Sequence, residues 1–202
     1  MGLTEETVLF IYNCCGHVLN GKRMLELGYQ DVIDSPSISE KTGEEYYRNR
    51  GVEHYTIDLY DKRSPYQFDL TKPFPPTWKN WYDIITNTGT TEHVEPKSGQ
   101  YQAFKNVHDC LKVGGLFISV LPCINTLKLY GAWEGHSNYF YSFEFVRMLA
   151  EENDYTIVAL QVTSNHQVAF CLKKNSDNEF MKDKKKFLRY IDERMGVRYP
   201  YT

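Results

Sequence analysis

The residues best suited to chemistry lie at the end of one apolar run. Residues 82–87 read Tyr-Asp-Ile-Ile-Thr-Asn and pass into Thr88-Gly89-Thr90-Thr91-Glu92-His93. Histidine titrates near neutrality, so His93 can take a proton from a hydroxyl or an amine. His136, in a loop further along, can do the same. A helical pattern follows His93, and then Val113-Gly-Gly-Leu-Phe-Ile-Ser-Val-Leu-Pro122. That order is strand, turn, helix, Gly-Gly, strand, which is an α/β crossover unit. Ligands of such sheets bind at the carboxyl ends of the strands. Asn87, Thr88, Gly89, Glu92 and His93 are therefore expected at one such end, and His136 at the end of the next strand.

Other elements must bring further groups to the same edge. Thr4 can cap a first helix, whose apolar positions Val8, Ile11, Tyr12, Cys15, Val18 and Leu19 form one stripe. Asn20-Gly21 stops it. Residues 23–28 read as a short strand ending in Gly28. Ser37-Ile-Ser-Glu40 matches a capping box and predicts a helix through Tyr46, Tyr47 and Arg50, ended by Gly51. Residues 52–58 predict a second strand finishing in Asp58, and residues 67–70 a short third one. Pro73, Pro75 and Pro76 make the next segment a loop. After the fourth strand, residues 97–112 carry Tyr101, Phe104, Val107 and Leu111 on one helical face. Residues 116–121 form the fifth strand. Ser142 caps a helix through Phe145, Met148 and Leu149. Residues 156–163 and 167–172 alternate around Ser-Asn-His and predict an antiparallel hairpin. The tail from Lys174 reads as a charged helix with Phe180, Phe187, Leu188 and Ile191 on one side.

A chain of 202 residues with 42% hydrophobic and 24% charged residues fits one packed domain. Its parts are an N-terminal helix (1–20), a core (21–173) and a helical tail (174–202). Sixteen tyrosines suit half-buried positions, pockets and interfaces. A net charge of −3 speaks against a nucleic-acid partner. The amino-terminal residues are acidic, unlike a signal peptide, and Glu6 replaces the Ser/Thr of a myristoylation site. No apolar run is long enough for a membrane span. Five cysteines without a C-x-x-C pattern fit a reducing, cytoplasmic setting better than disulfides or zinc. The histidines His54, His108 and His166 fall in strand, helix and turn contexts, so neither a metal cluster nor a catalytic role is expected of them.

In this order of pieces the chain resembles the class I S-adenosylmethionine-dependent methyltransferases, over roughly residues 20–173. Met24-Leu-Glu-Leu-Gly28 resembles their first motif, with Glu26 as its acid and Gly28 as its first glycine. Tyr29-Gln30-Asp31 stands where further glycines are usual, a single-glycine variant. The resemblance implies an α/β three-layer sandwich with a seven-stranded mixed sheet ending in an antiparallel hairpin. It implies S-adenosylmethionine as cofactor and methyl transfer to the hydroxyl or amine of a small molecule. Asp58 would hold the ribose diol, two donors meeting two acceptor oxygens. Asp69 and Leu70 would meet the adenine. Glu26, Gly28, Tyr29 and Gln30 would bind the cofactor, the glycine letting the backbone approach it, and Asn87, Thr88 and Gly89 would pass under its methionine portion. Glu92 would face the sulfonium or cap the next helix, and His136 or His93 would take the proton. Trp133, Tyr139, Phe140 and Tyr141 would either stack on the acceptor or form the loop's own small core. No Asn/Asp-Pro-Pro-Tyr/Phe element follows the fourth strand, which argues against methylating bases of nucleic acid. A non-catalytic relative that serves as a binding or scaffold module is the alternative, favoured by the altered first motif.

Overall fold

Apolar runs punctuated by left-handed glycines build the sheet. The computed structural model describes residues 2–124 and 136–193. The strands of the main sheet are β1 (Arg23–Leu27), β2 (Glu53–Asp58), β3 (Tyr66–Gln67), β4 (Tyr82–Thr88), β5 (Leu111–Pro122), β7 (Tyr155–Val162) and β8 (Gln167–Lys174). Their spatial order is β3-β2-β1-β4-β5-β8-β7. The first five are parallel, and β8 runs antiparallel between β5 and β7. A second, two-stranded sheet pairs β6 (Tyr139–Phe140) with β9 (Asp192–Glu193).

Alternation along β1 divides the core. Leu25 and Leu27 pack with Phe104, Phe117, Phe145 and Phe187 on one face; Met24 packs with Val8, Ile11 and Tyr47 on the other. The first face is served by α3 (Lys97–Cys110), α4 (Phe143–Glu152) and α5 (Lys184–Arg189), the second by α1 (Glu5–Cys14) and α2 (Gly43–Arg48). Each large apolar side chain so buried is worth about 1.5–3 kcal/mol. Among the described residues no helix is long and apolar enough to cross a membrane.

Several boundaries differ from expectation. Thr4 does cap α1, accepting from the Thr7 N–H at 3.2 Å, but the helix ends at Cys14 because Gly16 and His17 are left-handed (φ 59° and 63°). The second helix starts at Gly43, later than the Ser37–Glu40 pattern predicts. Thr42 Oγ1 accepts from Glu45 N at 3.1 Å, and Glu45 Oε2 accepts from Lys41 N at 2.8 Å. Ser37 and Glu40 are instead engaged by Glu5 and Arg50. Thr42→Ala should therefore cost about 1 kcal/mol of stability, read as a lower midpoint in urea. The third strand occupies residues 66–67, and Asp69-Leu70 lies in the turn beyond it. Helix α3 stops at Cys110, and β5 opens at Leu111 with a register shift across a left-handed Gly114. The tail is not one charged helix. Lys174 ends β8, among the described residues of the tail only Lys184–Arg189 is α-helical, and Phe180, Phe187 and Ile191 complete the core.

Candidate functional site

The sheet order fixes where a ligand crevice falls. From β1 the chain moves outward to β2 and β3; it then returns to β4 on the other side of β1 and continues to β5. The carboxyl ends of β1 and β4 therefore flank the switch point, where α/β sheets bind ligands. Gly28 closes β1 at φ 79°, and a Cβ there would lie 2.4 Å from Thr90 Oγ1. Only glycine suits both constraints. Thr90 Oγ1 donates to Leu27 O at 2.7 Å, so this threonine stitches the turn after β4 to the end of β1. The buried Gln30 side chain lies beside it, with Nε2 3.5 Å from both Thr90 Oγ1 and Leu27 O.

Asp58 ends β2 as expected, and its carboxylate organises two loops. Oδ2 accepts from Tyr29 N at 3.0 Å, and Oδ1 accepts from Tyr60 N at 2.8 Å and Asp61 N at 2.9 Å. Arg63 then links the loops on the outside, pairing with Asp31 (2.8 Å) and Asp61 (2.6 Å) while its guanidinium lies over the Tyr29 ring. Asp69 Oδ1 accepts from Thr71 N at 2.9 Å, a local turn bond, and Leu70 is part of the hydrophobic core. Glu26 is fully buried on the α2 side of the sheet. It lies 3.5 Å from His54 Nε2 and against Gly43, where a Cβ would come within 2.9 Å of both carboxylate oxygens. The His54 ring stacks on Tyr47 at 5.2 Å. Burial pushes the Glu26 carboxyl above the usual range, with His54 pulling it back.

The turn after β4 is held by neutral polar side chains. Asn87 Nδ2 donates to Thr91 Oγ1 at 2.8 Å, and Asn87 Oδ1 accepts from Thr91 N. Gly89 is left-handed (φ 74°) and bonds to Val120 O. Gln100 Nε2 donates to the carbonyls of Thr91 and Val94, and its Oε1 accepts from Tyr141 OH at 2.7 Å. The segment after residue 135 is tied down too. Asn138 N donates to Glu92 O, while Asn138 Nδ2 and Tyr139 OH both donate to the Glu95 carboxylate, at 2.8 and 2.9 Å. Tyr139, Phe140 and Tyr141 are fully buried, Tyr139 and Tyr141 within the main core that holds Phe104 and Phe145, so they neither form a separate core of the segment nor stand exposed for stacking on a ligand. Trp133 lies outside the described residues.

This framework brings together Glu92, His93 and His136. Glu92 does not cap α3, whose N-cap is Pro96; it sits in a 3₁₀ turn (Thr91–His93) before it. Its side chain is wholly buried, and neither carboxylate oxygen has a hydrogen-bond partner. His93 Nε2 is 3.8 Å from Glu92 Oε1, and the His93 and His136 rings meet edge to face at 5.2 Å. Burial pushes the Glu92 carboxyl up to about 8. Burial, and then His136, push His93 down to about 4, and burial also lowers His136. At neutral pH both imidazoles are uncharged, the state in which a base accepts a proton. His108, by contrast, is a structural residue held between Tyr155 OH (2.7 Å) and Asn178 O (2.6 Å).

Thr90, Thr91 and Gln100 were not visible as site-shaping residues in the sequence. Gln100 did leave a signal, since with Phe104, Val107 and Leu111 it falls on the apolar stripe. The threonines sit in a polar turn with no periodicity to mark them.

No protein-family model matches this sequence, and no curated protein matches it. Solved structures do. The Burkholderia thailandensis 1,6-didemethyltoxoflavin-N1-methyltransferase, with 1,6-didemethyltoxoflavin and S-adenosylhomocysteine bound, superposes with a TM-score of 0.60 at 12% identity, over 83% of this chain and 77% of that one. The N-methyltransferase NodS of Bradyrhizobium japonicum, in complex with S-adenosylhomocysteine, gives 0.60 at 14% identity over 85% and 87%. A TehB-like methyltransferase of Corynebacterium glutamicum gives 0.55 at 13% identity over 83% and 86%. At such identities the likeness is one of fold: the chain has the Rossmann-like fold of class I S-adenosylmethionine-dependent methyltransferases.

Proposed function

We propose that the chain is an S-adenosylmethionine-dependent methyltransferase acting on a hydroxyl or amine of a small molecule. A fold alone does not assign a function. The observation that carries the reading is the site: Asp58 on one side of the switch point, and Glu92, His93 and His136 on the other, in a sheet of this order.

The residues present fit such a cofactor at its polar ends. A carboxylate offers about four acceptor positions. Asp58 uses three for backbone N–H groups, leaving one on Oδ2 for a ribose hydroxyl. Thr88 Oγ1, Gln30 Oε1 and both Glu92 oxygens are buried without hydrogen-bond partners. A polar, cationic ligand would satisfy such groups. The residues that would hold it are Gly28 to Gln30, Asp58, Asp69 with Leu70, Asn87 to Gly89, and Glu92. Glu26, turned toward α2, supports the first loop from beneath.

When bound, S-adenosylmethionine supplies an electrophilic methyl group. The protein's part is to align an acceptor with that carbon, which is the main requirement of an in-line displacement. His93 and His136, both uncharged at neutral pH, would accept the acceptor's proton. The Glu95 clasp on Asn138 and Tyr139 would keep His136 against His93. The described cysteines are all free thiols, which suits a reducing compartment such as the cytoplasm.

One observation favours a second reading, a non-catalytic binding or scaffold module. Thr90 and Gln30 fill the space over Gly28 that a ligand would approach. Calorimetric titration with S-adenosylmethionine and S-adenosylhomocysteine separates the two. Micromolar binding supports the enzyme, and Asp58→Ala should then weaken it by about 1–3 kcal/mol. An unchanged affinity in that variant would remove Asp58 from the site. Failure of the folded wild type to bind either compound would favour the second reading.

A further inference from the structure

We propose that Glu92 is a charge-compensating, proton-exchanging residue, releasing a proton when cationic S-adenosylmethionine binds and releasing none when neutral S-adenosylhomocysteine binds. This inference rests on the methyltransferase reading above.

The geometry is that of a buried acid waiting for a cation. Glu92 has no exposed surface, and neither oxygen is hydrogen-bonded. Buried carboxylates are normally paired or hydrogen-bonded, because ionisation in a low-dielectric interior is otherwise costly. Among the described residues the one ion-pair contact within 4.0 Å is His93 Nε2, at 3.8 Å. The groups that face this region are polar or titratable but carry little charge at neutral pH. His93 comes from the same turn, His136 from the segment before β6, and Tyr141 from the segment after it. Gln100 of α3 is neutral and spends its amide on backbone carbonyls. The backbone N–H of Glu92, outside hydrogen-bond geometry, pulls toward ionisation less strongly than burial opposes it. Glu92 thus holds its proton in the ligand-free protein, and a fixed positive charge in the crevice would displace it.

The proton balance then closes over a turnover. Glu92 gives its proton to solvent as the sulfonium enters. Methyl transfer forms the acceptor–carbon bond, breaks the sulfur–carbon bond with its electron pair on sulfur, and removes the positive charge. The acceptor's proton, taken up by His93, passes to Glu92, which is again a neutral acid beside a neutral thioether. Glu92 would therefore distinguish substrate from product by charge, and weaken neither complex through an unpaired buried ion.

The test is calorimetric titration of wild type and Glu92→Gln with each compound at pH 7, in phosphate and in Tris. The dependence of the apparent enthalpy on buffer ionisation enthalpy counts protons. Wild type is expected to release roughly one proton more than Glu92→Gln on binding S-adenosylmethionine, and no more on binding S-adenosylhomocysteine. The amino group of the ligand titrates alike in both proteins and cancels. Between pH 6.5 and 8, wild-type affinity for S-adenosylmethionine should rise about tenfold relative to the variant. Equal proton counts in the two proteins would overturn the role of Glu92 while leaving the methyltransferase reading intact. Absence of binding by either protein would overturn both.

Discussion

At pH 8, without ligand, Glu92→Gln is expected to be more stable than wild type by about 4 kcal/mol, and near pH 4.5 by almost nothing. Burial raises this carboxyl from 4.5 to about 8 in the folded protein. Between those values the unfolded chain has lost the proton and the folded chain keeps it. Stability must then fall as pH rises, fully present below the unfolded value and lost through the folded one. Glutamine keeps the shape and does not titrate, so the fall disappears. His93 works in the other direction. Its value drops from 6.5 to about 4, so its contribution is present above 6.5 and is lost as pH falls, by about 3 kcal/mol in all. In wild type the two slopes oppose each other between 4.5 and 6.5, and Glu92 acts alone above that. Urea unfolding from pH 5 to 9 of both proteins reads the difference directly. Parallel curves would show that Glu92 ionises freely and would remove the physical basis for its coupling to a cation.

The part of the site that lies on strands and their immediate turns was legible in the sequence. An apolar run ending in Asn87-Thr-Gly89 has one reading, and Glu92 and His93 follow within four residues. That His136 and His93 could face one cleft followed from strand order, because they come after the neighbouring strands β5 and β4. The hairpin β7–β8 was legible from alternation alone. What depended on long-range contacts was not. Ser37-x-x-Glu40 and Thr42-x-x-Glu45 are both capping patterns five residues apart. The choice fell to Glu5 and Arg50, which claim the first pair from distant positions. Glu26 shows the same limit. Its place in the first motif suggests a ligand contact, but the pleat turns it with Met24 toward α1 and α2, where His54 from the next strand meets it. Thr90, in the gap beside Gly28, could be recognised only after β1 and β4 were known to be neighbours.

Lys174→Met is expected to cost about 3 kcal/mol, close to what a small domain can spare. The sequence places Lys174 at the start of a charged helix, and the structure places it instead at the end of β8. Its side chain is completely buried. Nζ reaches His108 O at 2.8 Å, Leu111 O at 2.9 Å, and Asn80 Oδ1 and Asp177 Oδ1 at 3.2 Å. Two of these acceptors are backbone carbonyls at the end of α3, which have no partner further along the helix. A cation there also meets the negative end of the helix dipole. Methionine fills a similar volume but leaves those carbonyls buried and unbonded, so the loss is one of hydrogen bonding, not of packing. Asp177→Asn is the control. Its carboxylate is partly exposed and leaves Lys174 with its carbonyl partners, so the change should stay within about 1 kcal/mol. Urea midpoints of the three proteins at pH 7 decide between the accounts. If both variants lose equal stability, the ion pair and not the carbonyls holds the lysine. If Lys174→Met alone is strongly affected, this one side chain pins the end of α3 to β8. That strand runs antiparallel between β5 and β7, and its placement gives the sheet its methyltransferase order.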